Sequence, residues 1–149
     1  MASDDVLAEC DIQKLNVDIA AGSAAVVFDL KSSLYYDDVN VGVLTAEGVE
    51  SASWSGSRSQ YAQRFQAFYV GASMLSSTGS GRWRMWVGAI NGQELIIEAE
   101  TIEMWLGNVK GGDAAPPLYD EDSEEEILRR LYDWDTLATP VAWTSTTLI

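Results

Sequence analysis

Alternation of apolar and polar side chains dominates the chain between residues 10 and 107. The clearest case runs from Arg82 to Ile90, where every second residue from Trp83 onward is apolar, as in a half-buried β-strand. Asn91-Gly92 follows, and residues 94–100 resume the alternation. An Asn-Gly pair between two such runs favours a hairpin with a type I′ turn, in which both central residues take positive φ.

Two further turn signals divide the first half of this region. Ala21-Gly22-Ser23 precedes the apolar run 24–30 and predicts a hairpin. Glu47-Gly48 separates the runs 39–45 and 49–54, so we expect a second reversal of the chain there.

The remaining runs are more ambiguous. Residues 64–70 alternate as a strand does, although their Gln and Arg content makes a helix over 59–68 the competing interpretation. Residues 101–106 continue the preceding strand or begin another. Short strands separated by turns at this spacing are typical of sandwiches and barrels. We therefore expect a mostly-β fold over residues 5–110, an antiparallel β-sandwich or barrel with a jelly roll as one possible form.

The character of the sequence changes after Lys110. Residues 111–118 are rich in Gly and Pro and are expected to be a linker. Residues 119–149 form an acidic tail. From residue 113 onward, nine acids and two arginines give −7, half of the −14 carried by the whole chain.

One short helix, about residues 123–134, is predicted in this tail. Ser123 can cap it, and Glu126 three residues later completes a capping box. Pro140 bars continuation, and the β-branched run 141–149 is expected to be a final strand.

The predicted helix carries one apolar stripe suited to docking. The residues that form it or follow it closely are Ile127, Leu128, Leu131, Tyr132 and Trp134. This stripe either packs on its own domain, which we favour, or enters a groove on a neighbouring copy and makes the tail an exchange arm.

Composition excludes several classes of function. The chain has no His, so Ser-His-Asp, Cys-His and His-based zinc chemistry are excluded. Its one cysteine, Cys10, allows no internal disulfide and is expected in the core, with an intermolecular disulfide or reactive thiol as the alternative. The net charge of −14, with nine scattered Lys and Arg, argues against nucleic-acid partners. No apolar run is long enough to suggest membrane insertion, and the early acids Asp4 and Asp5 argue against a secretion signal.

Aromatic residues are the best candidates for a binding surface, since the chain has six Trp. Trp83 and Trp86 are an odd number of residues apart and should point to opposite faces of their strand. One of them, flanked by Arg82 and Arg84, could then be exposed and stack on a sugar or anchor a protein contact, as could Trp105. The alternative is that each ring covers part of the core.

Carboxylates are the other candidates. Asp37 and Asp38 on a predicted loop could bind Ca²⁺, whereas the acidic run in the tail lacks the spacing of an EF-hand. Glycoside hydrolysis needs two acids flanking the scissile bond, and nothing in the sequence singles out a pair. We assign no catalytic residue and expect no cofactor.

In composition the chain resembles virus surface domains and phage capsid accessory proteins: acidic, without His, rich in Ser, Thr and Gly in loops and aromatic in strands. No motif matches a named family. We expect a non-enzymatic structural or attachment module that contacts itself as a homo-oligomer or another structural protein, on a virion surface or outside the cell rather than in the cytoplasm. The first alternative is a carbohydrate-binding module that uses exposed Trp or Tyr. The weaker one is a carboxylate-dependent hydrolase.

Overall fold

Seven antiparallel strands and one short helix make up the regular structure of the described residues. The computed structural model describes residues 7–33, 36–56, 68–109, 118, 121–132 and 138–148. The elements are β1 (Asp11–Asp18), β2 (Ser23–Asp29), β3 (Val41–Ser55), β4 (Val70–Ser77), β5 (Trp83–Ala89), β6 (Glu94–Val109), α1 (Glu124–Arg130), β7 (Ala138–Ser145) and a 3₁₀ turn, Thr146–Leu148. The expected mostly-β, antiparallel fold with one short C-terminal helix is confirmed.

All seven strands belong to one sheet with the order β1-β2-β3-β6-β5-β4, and β7 also pairs with β6. The two longest strands, β3 and β6, run through the whole sheet. The first part of β3 pairs with β2, and its later part pairs only with β6. The first part of β6 pairs with β5, and its later part pairs with β7. The sheet therefore has two halves that share β3 and β6: a β2 half, with β1, β2 and β7, and a β5 half, with β4 and β5.

A bend in β3 separates the halves. Gly48 has a φ of +63°, and the pairing with β6 shifts register between Val49 and Ser51. A guanidinium N–H of Arg82 donates to the Gly48 carbonyl over 3.1 Å, and Nε pairs with Glu50 at 2.9 Å. The prediction of a chain reversal at Glu47-Gly48 is therefore wrong. An isolated glycine marks a bulge as readily as a turn, and here it bends one continuous strand.

The two edges of the sheet meet at one end. The Glu9 N–H donates to the Val70 carbonyl over 2.8 Å, and the Val70 N–H donates to the Cys10 carbonyl over 2.9 Å. The Ile12 N–H donates to the Phe68 carbonyl over 3.1 Å. Only an isolated bridge joins β1 to this segment, so the sheet is curled but not closed.

The core lies inside this curled sheet. One hydrophobic cluster, the inner cluster, contains residues from both halves. Its most buried large side chains are Leu7, Val26, Phe28, Leu30, Val70, Val87, Leu95 and Ile97. Cys10 is also fully buried in it, and burial raises the pKa of its thiol to about 12. The halves thus share a single core.

Two hairpins predicted from the sequence are present. Gly22 lies between β1 and β2 in the left-handed region, and Gly92 does so between β5 and β6. The predicted type I′ turn at Asn91-Gly92 is wrong, because Asn91 has no positive φ. The Gly92 N–H donates to the Ala89 carbonyl over 3.0 Å, which fits a three-residue loop with only the glycine left-handed.

The tail helix begins where the sequence indicates. The Ser123 hydroxyl accepts the Glu126 N–H over 3.3 Å. The Glu126 carboxylate pairs with Arg129 and Arg130 inside the helix, so its side chain supports the helix through ion pairs. Residues 59–67 of the competing helix, the linker from 111 to 117 and Trp134 lie outside the described residues, so these interpretations stay predictions.

Candidate functional site

Strand β7 presents the most exposed apolar surface of the sheet. It pairs with β6 along one edge, and no other described strand lies along its second edge. Six of its eight residues are exposed. Val141 is 54% exposed and Trp143 is 53% exposed, unusual for such large apolar side chains. An open strand edge with uncovered apolar side chains is a template for pairing with another chain.

Three features hold β7 against β6. Gly107 allows close approach, since an added Cβ would lie 2.5 Å from the carbonyl oxygen of Thr139. Trp143 pairs in register with Trp105. Beyond the strand, the Thr146 hydroxyl accepts the Ile102 N–H over 3.0 Å. Strand β7 is therefore held in place by its contacts with β6, and its other edge stays open.

The charge distribution separates β7 from the rest of the molecule. Residues 138–149 contain no charged side chain, although the chain as a whole carries −14. By contrast, the edge strand β1 carries Asp11, Lys14 and Asp18. Two copies of so acidic a protein repel each other wherever acidic faces meet. At β7 they can meet without bringing charged side chains together.

An apolar cavity of about 400 Å³ lies inside the sheet beneath β7. Its wall on the sheet side consists of aliphatic and Met side chains: Leu44, Leu75, Met85, Ile102, Met104 and Leu106. Leu7 and Tyr36 also line it, and residues 142–146 form the side towards β7. No charged side chain belongs to the wall as the described residues form it.

A second notable cluster is buried on the outer face of the β2 half. Asp11 and Asp29 face each other across β1 and β2, and each is 1% exposed. Lys31 lies 3.4 Å from Asp29, and its backbone N–H donates to the same carboxylate over 2.9 Å. Both carboxylate oxygens of Asp11 lack a hydrogen-bond partner among the described residues.

Burial governs the ionisation of this acid pair. Burial first, and then the neighbouring Asp29 charge, raise the pKa of Asp11 to about 7, against the opposing effect of Lys31. Burial also raises the pKa of Asp29, while its hydrogen bond and ion pair with Lys31 act in the opposite direction. Near neutral pH this site therefore holds a proton on Asp11 in part of the molecules.

The tail closes over this cluster. Gln13 is the extra residue of a β-bulge in β1, and its amide donates to Asp29 over 3.1 Å. The same amide accepts the Tyr132 N–H over 2.9 Å. The Tyr132 hydroxyl donates to the Asn40 carbonyl over 2.9 Å, and Lys31 lies 5.1 Å from its ring. The tail is thus bound to its own sheet.

The Trp and Arg residues singled out from the sequence lie mainly in supporting positions. Trp83 packs against the inner cluster. Trp86 lies on the other face over Gly88, and its indole N–H donates to Glu94 over 3.3 Å. Arg82 binds the bend in β3, and Arg84 pairs with Glu98 at 2.9 Å. These four side chains do not form one exposed surface.

Trp105 and the tail residues meet on the outer face of the β2 half, away from the inner cluster. Trp105 and Tyr132 both belong to a small outer cluster with Val27 and Val41. Of the predicted docking stripe, Ile127 is buried, Leu131 is half-buried and Leu128 is exposed. The contacts that join this segment to the sheet are the hydrogen bonds of Tyr132, which the apolar pattern does not predict.

The predicted metal ligands Asp37 and Asp38 are exposed in the loop before β3. Within the described ranges, no group of three or more His, Cys, Asp or Glu side chains is arranged to hold a metal ion. Calcium binding there stays a prediction. Among the helical residues that the structure describes, none forms a segment that could cross a membrane.

The sequence analysis missed Trp143, Val141 and the cavity. It placed a strand at 141–149 but did not examine its charge, and the uncharged stretch 138–149 is the signal that could have pointed to the edge. The cavity has no comparable signal, because it depends on how distant strands curl around one another.

Comparison with known proteins adds little. No protein-family model matches the chain, and no curated protein matches it. A solved structure described as an uncharacterized protein from Neisseria gonorrhoeae is similar, with a TM-score of 0.49 and 10% sequence identity. The match covers 70% of this chain and 96% of that one. At this level the likeness carries no argument about function.

Proposed function

We propose that this protein is a non-enzymatic structural or attachment module that self-associates through strand β7. The observation that carries the proposal is an open strand edge that is both uncharged and apolar, on a chain whose net charge is −14. Pairing β7 with β7 of a second copy across a two-fold axis would continue the sheet. Backbone hydrogen bonds would supply the contact, and Trp143 would supply buried apolar area.

Features of β7 itself favour a closed pair over an open-ended fibre. Pro140 has no N–H to donate, and Val141 is an extra, bulged residue opposite Leu106 and Gly107. Pairing is thereby confined to about residues 142–145. Short, interrupted edges of this kind limit continued strand addition.

We extend the proposal to the setting expected from composition, the surface of a virus particle or another extracellular assembly. Copies are held there at high local concentration, so a modest contact is enough to associate them. The acidic remainder of the surface would keep all other faces of neighbouring copies apart.

Sedimentation velocity on the full chain tests the β7 contact. We expect a concentration-dependent dimer that Trp143→Lys converts to monomer. Val17→Lys on the β1 edge and Met74→Lys on the β4 edge are matched controls, because each places the same charge at an exposed apolar residue of another edge strand. Thermal melting of each variant checks that it folds.

Two outcomes would contradict the proposal. The first is a wild-type chain that stays monomeric at millimolar concentration. The second is a dimer that survives Trp143→Lys but is lost in Val17→Lys or Met74→Lys, since the contact would then lie at another edge.

Carbohydrate binding is the second candidate, and the exposed Trp143 ring on the sheet is the observation that favours it. A sugar stacked on this indole should change tryptophan fluorescence in the wild type and not in Trp143→Ala. A silent glycan array, together with unchanged fluorescence on adding sugars, would dismiss this candidate.

A further inference from the structure

We infer that the cavity beneath β7 is a binding site for a small, neutral, aliphatic ligand such as a medium-chain alcohol or alkyl ester. Its volume of about 400 Å³ lies in the range of small-molecule sites. The site borders the proposed β7 edge contact, because Trp143 also lines it. Its sheet side is formed by residues outside β7, so its occupation does not require self-association.

The wall selects for an aliphatic body. Six Leu, Ile and Met side chains form its sheet side, and Met85 and Met104 come from different halves of the sheet. These six side chains offer no polar partner to an ordered water, which needs two or more. Apolar atoms of a ligand would fill the space that water fills poorly.

The lack of charge on the described part of the wall selects against an ionised ligand. None of the described side chains that line the cavity is cationic, and the chain as a whole carries −14. A carboxylate entering here would lose its hydration without gaining a partner. Four of the described lining residues carry a hydroxyl: Tyr36 on one side, and Thr144, Ser145 and Thr146 on the β7 side. The hydroxyls of Ser145 and Thr146 already bond within the protein, and the remaining two suit a neutral hydroxyl or carbonyl.

The wall can also adapt to its occupant. Gly42 has no side chain at a point where an added Cβ would lie 2.8 Å from the terminal methyl carbon of Met104. The methyl carbon of Met104 therefore packs against the backbone of β3, and its flexible thioether can take up other rotamers as a ligand enters. The two Met methyl groups are therefore natural reporters of binding.

The test is a titration of the full chain, labelled with ¹³C at the Met methyl groups, with 1-octanol and separately with sodium octanoate. We expect saturable shifts of the Met85 and Met104 signals with octanol and at least about tenfold weaker binding of octanoate. Met74 lies on the outer face and is 46% exposed, so its signal is the internal control. Single Met→Leu variants assign the signals.

Two substitutions in β7 locate the site. Ala142 lines the cavity, whereas the neighbouring Val141 does not. Ala142→Phe should fill the cavity and weaken octanol binding at least about tenfold, while Val141→Phe should leave it unchanged.

Several results would overturn the inference. They are linear, non-saturating shifts, equal shifts at Met74, octanoate binding as tight as octanol, or equal effects of the two Phe variants. Sedimentation of the same samples tells failure of this site apart from failure of the β7 contact.

Discussion

Two regions of the outer surface differ in their charge and in whether the chain itself covers them. The face of β1 and β2 carries buried charges and is covered by the chain itself, through Tyr132 and the hydrogen bonds of Gln13. The edge at β7 carries no charge and is left uncovered. Asp29 is buried with Lys31 and the Gln13 amide as partners, because an unpaired buried charge is costly. The exposed apolar side chains of β7 need no such partners.

Under the proposed self-association, the difference separates the contacts that stabilise the fold from those that would join two copies. Polar groups fix the tail in one position, because each of its hydrogen bonds has a defined direction. Apolar contacts at β7 have no such direction and are satisfied by any complementary surface. Stability and association can therefore be changed separately, which the following substitutions test.

The largest effect is expected at Tyr132, which covers the charged face. Tyr132→Ala should lower the free energy of unfolding by about 3–4 kcal/mol, since a buried ring is removed. Trp143→Ala at the open edge should lower the free energy of unfolding by less than about 1 kcal/mol. Both values are measured by urea denaturation at a protein concentration at which the chain is monomeric. Tyr132→Phe, which removes only the hydroxyl bonded to Asn40, should cost about 1 kcal/mol. Equal losses at Tyr132 and Trp143 would contradict the comparison.

Asp11 should make the covered face sensitive to pH. Its pKa is about 7 in the folded protein and near the ordinary value of 3.8 when unfolded, so the folded state holds the proton more tightly. This contribution is complete below pH 4, is lost as the pH rises towards 7, and is absent above that. Asp11→Asn should therefore raise the free energy of unfolding by about 2–4 kcal/mol at pH 8 and by much less at pH 4. The exposed Asp18→Asn in the same strand is the control, and a gain that does not depend on pH would refute the explanation.

A substitution at Gly107 tests how closely β7 packs against β6. Gly107→Ala would place a Cβ against the Thr139 backbone, so β7 must shift. We expect a loss of about 1–3 kcal/mol in unfolding free energy and faster amide exchange in residues 138–145. Exchange in β1 and β2 should stay unchanged. A uniform increase across both regions would mean that the edge and the covered face are not separable.

The smallest effect is expected at the helix cap. Ser123→Ala removes the acceptor for the Glu126 N–H and should cost about 1 kcal/mol. Ser123→Asp, which restores an acceptor and adds charge at the positive helix end, should recover that stability in thermal melts. If neither variant alters melting, α1 contributes nothing to covering the face.

Local patterns predicted the local structure well. Period-two alternation identified β5 and the start of β6, and the capping residue Ser123 marked where α1 begins. At Gly48 the same kind of signal misled, because a glycine that bends a strand and one that reverses it look alike in sequence. Whether the glycine bends or reverses the chain depends on the strand that pairs with the residues around it. At Gly48 that strand is β6, which comes much later in the chain.

The candidate site was predictable only in part. A final strand was expected, and its lack of charge could be read directly from residues 138–149. Its position at an open edge could not, because this depends on pairing with the later part of β6. Likewise, the hydrogen bond between Tyr132 and Gln13 joins opposite ends of the sequence, so it has no local signal.

The sharing of β3 and β6 by both halves of the sheet has a consequence for folding. Neither half owns a complete set of strands, so neither can form ahead of the other as an independent unit. The common core forms only when β3 and β6 pair along their whole length, from Val41 with Gly107 to Ser55 with Glu94. Such contacts between distant positions slow folding, into the millisecond-to-second range typical of sheet proteins. One cooperative transition, with no half-formed intermediate, is the expected behaviour on refolding from urea.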